Sequence, residues 1–207
     1  MNLERSIEKI WKKDLKHELF DNYNYLLWDE KGIVALMFSY LKKCLDDYGR
    51  RSLLVPEYRP TVPRYIKCRI HKQTLEKYRG NERWKVDLCI VKFKDYLNKI
   101  KFSEECCLWC VEHKPIIAME FKYKSLSTLK ERKGELEKDI NKLETMIEKR
   151  NTEIAYLCIV TDITDKEKYN ELLNLIKNMI KHKREKFRIA VGSWEKKNQE
   201  FWNIETC

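Results

Sequence analysis

The sequence predicts an α/β fold, a mixed central β-sheet flanked by helices. Three observations carry that prediction. Short apolar runs rich in β-branched residues recur at 84–91, 115–121, 154–160 and 187–191, as strands buried on both faces require. Longer intervening segments repeat their apolar residues at helical spacing. From 115 to 191 the order is strand, helix, strand, helix, strand, which fits parallel pairing through crossover helices.

Residues 3–20 predict an amphipathic helix, since Leu3, Ile7, Ile10, Trp11, Leu15 and Leu19 recur at helical spacing and Glu18 reads as a solvated-face residue. After a turn at 21–24, a second helix is expected over 29–47 with Ile33, Val34, Met37, Phe38, Leu41 and Leu45 inward. Residues 53–59 predict a short strand, and Pro56 confines it to an edge or a bulge. Residues 65–70 alternate and suit a further strand or a flap. The segment 125–149 predicts one long helix with Leu129, Leu136, Ile140, Leu143 and Ile147 in its stripe, and 165–182 predicts an amphipathic helix. The last strand is expected at 187–191. The chain divides into a helical extension, 1–28, an α/β core, 29–192, with an insertion at 94–114, and a tail, 193–207, that carries Trp194, Phe201 and Trp202.

Composition narrows the function. The 207 residues carry a net charge of +10 at pH 7, which fits a polyanionic partner or a well-solvated Lys/Glu-rich surface. No apolar run approaches membrane-spanning length, so no membrane association is expected. Eight Cys with no leader-like N-terminus suggest a reducing, cytoplasmic setting, with Cys89 and Cys158 acting as small hydrophobes in strands. Only five Gly and no Gly-rich phosphate loop disfavour a Rossmann-type nucleotide enzyme.

The chemistry gathers on acids embedded in apolar strands. Glu120 follows Ile116–Met119 directly, and alternation puts Lys122 on its side of the strand. Asp87 lies inside Val86–Val91. Paired strands would bring the two carboxylates together as hard ligands for Mg²⁺ or Mn²⁺, with Lys122 facing an anionic oxygen. Glu30 lies one turn before Ile33 and Val34 and can share their inward face; it also suits the positive end of the helix dipole. Glu57 follows the 53–55 run as a further ligand or as a surface acid beside Arg59. Arg79, Arg83 and Lys85, with Tyr65, Tyr78 and Trp84 interleaved, suit phosphate contacts and base stacking, or a solvated loop. Lys124, Lys130, Arg132 and Lys133 follow the site as phosphate contacts or helix-surface charges. Cys107, Cys110 and His113 have metal-knuckle spacing but no easy fourth ligand, and a hydrophobic turn with incidental thiols reads as well.

Asp87 followed by Glu120-Phe121-Lys122 on consecutive strands resembles the PD-(D/E)XK nuclease superfamily, restriction endonuclease-like in fold, over roughly 30–192. Val86 stands where that pattern usually has Pro, and the long Asp87–Glu120 separation implies an insertion. The resemblance implies metal-dependent hydrolysis of DNA phosphodiester bonds; a nuclease acting on RNA is a rival reading that the sequence leaves open. The resemblance places the metal on Asp87, Glu120, the Phe121 carbonyl and Glu30, and has Lys122 orient or help deprotonate the attacking water and offset charge on the transition-state oxygens. It also matches Asp139-Ile-Asn-Lys142-Leu143 on the following helix, without a role. The alternatives are a catalytically silent module of the same fold that binds nucleic acid or a partner protein, and an assembly protein dimerising through 125–149. A nuclease that cuts both strands would be expected to form a homodimer.

Overall fold

The computed structural model describes residues 3–20, 29–46, 52–58, 85–93, 113–150, 152–196 and 199–207. The expectations for 65–70, for the basic loop around Arg79 and Arg83, and for Cys107 and Cys110 lie outside them. So does the His113 side chain.

Among the described residues a six-stranded mixed sheet organises the chain, its strands side by side in sequence order. Strands β1 (Ser52–Tyr58), β2 (Val86–Phe93) and β3 (His113–Tyr123) form an antiparallel meander. Strands β4 (Ile154–Thr161) and β5 (Phe187–Ser193) then continue from β3 in parallel. The expected crossover topology is therefore present. β4 is buried at every position from Ala155 to Thr161, consistent with its unbroken apolar run. Among the described residues β1 is an edge strand, where Pro56 removes a donor that the interior of a sheet would need.

The N-terminal helix runs as α1 (Leu3–Lys9), a π-helical segment (Ile10–Leu15) and α2 (Lys16–Phe20). Ile7, Ile10, Trp11 and Leu15 are buried, and Trp11 Nε1 donates to the Val191 carbonyl at 3.0 Å. Glu18 accepts from the Tyr40 hydroxyl at 2.6 Å, so it ties this helix to the next instead of standing in water alone. That next helix, α3, spans Glu30–Asp46; Asp29 accepts from the Gly32 N–H at 2.7 Å, and Ile33, Met37, Leu41 and Leu45 are buried.

Two expectations are corrected. The segment 125–149 is two helices, α4 (Leu126–Glu131) and α5 (Lys133–Arg150). Arg132 leaves helical geometry at φ −102°, ψ 36°, and Gly134, a weak helix former, follows it. Ser125 caps α4 by accepting from the Thr128 N–H, and Asp162 accepts from the Leu126 N–H at 2.7 Å. The helix α6 (Lys166–Met179), capped by Asp165, then leads to β5.

The strand at 187 is also not the last. β6 (Asn203–Thr206) pairs antiparallel with β5, so the tail completes the sheet. Trp202 anchors it: buried, 5.6 Å from the Trp11 ring centroid, with Nε1 donating to the Ser193 and Lys196 carbonyls. Gly192 makes room for that ring, since a Cβ there would lie 2.9 Å from Trp202 Cζ3. Gly192→Ala should therefore cost about 1–3 kcal/mol through overpacking. Thermal unfolding checks this, and an unchanged midpoint would show that the tail is loosely held. Among the described residues no helix is long and apolar enough to cross a membrane.

Candidate metal and acid–lysine site

The β2–β3 ladder carries the site where it ends. Its register runs through Cys89↔Ala118 and Leu88↔Met119, and one step further sets Asp87 across from Glu120. There the backbone pairing stops, and the Asp87 side chain takes over, its Oδ2 accepting from the Phe121 N–H at 2.8 Å. In a strand the N–H and C=O of one residue face the same neighbour. The Phe121 carbonyl thus faces the same gap as the Asp87 carboxylate.

Alternation along β3 turns Glu120 and Lys122 to one side, while Phe121 and Met119 are buried on the other. α3 starts at Glu30, whose Oε2 lies 3.4 Å from Lys122 Nζ. α5 contributes two groups on one face at i, i+3 spacing, Asp139 and Lys142. Asp139 divides its carboxylate: Oδ2 lies 2.8 Å from Lys122 Nζ and Oδ1 2.6 Å from Lys142 Nζ. Lys142 Nζ also donates to Glu120 Oε1 at 3.1 Å. Two strands and two helices therefore converge on one chain of contacts: Glu30, Lys122, Asp139, Lys142, Glu120, with Asp87 across the strand gap.

Exposure grades across this chain. The Glu120 side chain is 1% exposed, Asp139 7%, Lys122 13%, Lys142 24% and Glu30 37%. Burial pushes the Glu120 carboxyl up to about 9; Asp87 and Asp139 add to the shift and Lys142 only partly offsets it. The geometric ion pair with Lys142 is therefore, near neutral pH, an ammonium donating to a carboxylic acid. Glu30 is raised for the same first reason, burial, with Lys122 working against it and Asp87 and Asp139 adding. Burial alone would lower the Lys122 pKa, but Asp139, Glu30 and Glu120 outweigh it and hold its pKa above the ordinary lysine value. Lys142 is held up likewise, by Glu120 and Asp139 against burial.

The four proposed metal and catalytic side chains, Glu30, Asp87, Glu120 and Lys122, are thus gathered in one place. Glu57 lies in β1, and the flanking pairs Pro56↔Leu88 and Tyr58↔Val86 set its backbone across from Asp87. Its side chain lies outside those described. Lys85 immediately precedes β2. Lys124 pairs with Glu135 at 2.6 Å, and Lys130, Arg132 and Lys133 are paired with Glu171, Glu135 and Glu137. Asp139 and Lys142 had no assigned role from sequence. The available signal was their i, i+3 spacing beside Ile140 and Leu143, both buried.

Were Glu120 to give up its proton to a bound cation, four carboxylates against two ammoniums would leave an excess of two negative charges, which one divalent cation balances. The donors are hard oxygens, suited to Mg²⁺ or Mn²⁺. A carboxylate has two oxygens, so Asp87 engaged through Oδ2 and Glu120 through Oε1 each have a second with which to ligate. Among the described residues, no three His, Cys, Asp or Glu side chains stand together as a ready-made metal nest. In this arrangement the Lys142 ammonium supplies the positive charge between Glu120 and Asp139.

Comparison of the chain with protein-family models, with curated proteins and with solved structures gives no match in any of the three.

Proposed function

We propose that the protein is a metal-dependent nuclease that hydrolyses DNA phosphodiester bonds in the PD-(D/E)XK manner, on a restriction endonuclease-like variant of its mixed sheet. The observation that carries this reading is the convergence of Glu30, Asp87, Glu120 and Lys122 at the end of the β2–β3 ladder. It unites residues from three separate elements that the family resemblance names. The net charge of +10 supports a polyanionic substrate.

Asp87, Glu120 and the Phe121 carbonyl would hold the cation, with Glu30 completing the set from the exposed lip. A bound Mg²⁺ or Mn²⁺ supplies Lewis-acid polarisation of the phosphate and an acidified water. Lys122 has a narrower role than proton transfer. Its raised pKa keeps it an ammonium at neutral pH, and an ammonium has no lone pair with which to take a proton. Lys122 therefore serves as a fixed cation, orienting the attacking water and offsetting negative charge that grows on the phosphate oxygens.

The test is incubation of supercoiled plasmid and of labelled single-stranded DNA or RNA with Mg²⁺, Mn²⁺ or EDTA. Cleavage that needs the cation and stops in EDTA is expected. DNA bound but uncut under every metal would overturn the enzyme in favour of a silent binding module.

A further inference from the structure

Lys142 is the second ammonium of the cluster, and the family resemblance gives it no task. It projects from α5 and touches two carboxylates, Glu120 Oε1 at 3.1 Å and Asp139 Oδ1 at 2.6 Å. The first of these belongs to the most deeply buried acid of the site. The second belongs to a residue that Lys122 also holds, at 2.8 Å. Asp139 is thus shared, while Glu120 has Lys142 as its lysine partner.

From this geometry we infer that Lys142 is a built-in competitor for the metal site, its ammonium held on Glu120 and Asp139 and yielding when a divalent cation binds. The inference rests on the nuclease reading of the same residues. A cation that ligates Glu120 and Asp87 brings two positive charges against a group already in contact with Lys142. Two cations cannot share so small a space without repulsion. Lys142 has the means to give way. Its side chain is one-quarter exposed, four methylenes let the head swing, and Asp139 keeps one of its two contacts during the swing. Lys122 has no such freedom, being less exposed and braced by both Asp139 and Glu30. One lysine is held for chemistry and the other is a movable counter-charge. Lys142 would then set the cation concentration at which the site loads, and Asp139 would guide its retreat.

The experiment is calorimetric titration of the full chain with Mg²⁺ and with Mn²⁺, wild type beside Lys142→Met and Lys142→Gln. Methionine keeps the length of the side chain and removes the charge; glutamine keeps a neutral donor. Unfolding of each variant in EDTA confirms that it is folded, and at least one of the two suffices. Binding tighter by about tenfold or more in the variants is expected, the order that follows from deleting a positive charge in contact with the site. Binding equal to wild type, or weaker, would overturn the competitor role while leaving the nuclease reading standing. No binding by wild type or variants would overturn both.

Discussion

Lys122→Met is expected to lower metal-dependent cleavage by about 100- to 1,000-fold, the effect of deleting a fixed charge aimed at the transition state. The reason lies in how completely the surroundings commit this side chain. It is 13% exposed, 2.8 Å from Asp139 and 3.4 Å from Glu30, and its neighbours hold it charged. Methionine fills the same volume with no charge. The fold should tolerate the change, because Asp139 keeps Lys142 at 2.6 Å and Glu30, 37% exposed, turns to water. Single-turnover cleavage at saturating metal, with thermal unfolding alongside, separates lost chemistry from lost structure. Lys122→Arg should recover only part of the rate, since a planar guanidinium does not reproduce a compact ammonium. A Lys122→Met protein cleaving within about threefold of wild type would place the active site elsewhere.

The parts of this site that could be read from sequence are those where a charged residue breaks an apolar pattern. Asp87 and Glu120 interrupt buried strands, and a carboxylate there needs a reason. Glu30 was legible through its phase relative to Ile33. Asp139 and Lys142 matched the family pattern but had no role, because in a chain with 37% charged residues an Asp and a Lys three apart on a helix also look like a solvated face. Their place in the site comes from where α5 packs on β3 and β4, a tertiary fact. The break at Arg132 had a faint local signal in Gly134. β6 had almost none: Asn203, Glu205 and Thr206 surround a single apolar residue, Ile204. That segment is a strand because Trp202 docks beside Gly192 and delivers it to the open edge of β5. The sheet before it, by contrast, follows from apolar runs that have no other stable place to go.

Glu120→Gln should reveal what the site costs the fold. In the metal-free protein the Glu120 carboxyl titrates at about 9 instead of its ordinary 4.5, chiefly because it is buried. Between those values the folded chain keeps a proton that the unfolded chain has released. The stability contributed by the neutral acid is full below 4.5 and is lost as pH rises towards about 9, by at most about 1.4 kcal/mol per unit. Glutamine mimics the neutral acid at every pH and still accepts from Lys142. In EDTA the variant should match wild type near pH 5 and exceed it by about 1–3 kcal/mol near pH 8.5, the range seen when a buried charge is replaced without loss of packing. Denaturant unfolding at both pH values measures this. Mg²⁺ should reverse the order, stabilising wild type by binding the folded state while leaving the variant almost unmoved, because a neutral amide is a poor ligand for a hard cation. Cleavage by the variant should be lost. If the two proteins keep parallel stability profiles across this pH range, Glu120 is an ordinary solvated acid, and its place at the centre of the site is wrong. If the profiles diverge as described but Mg²⁺ does nothing, the buried acid is real, and the cluster serves packing or binding without a metal.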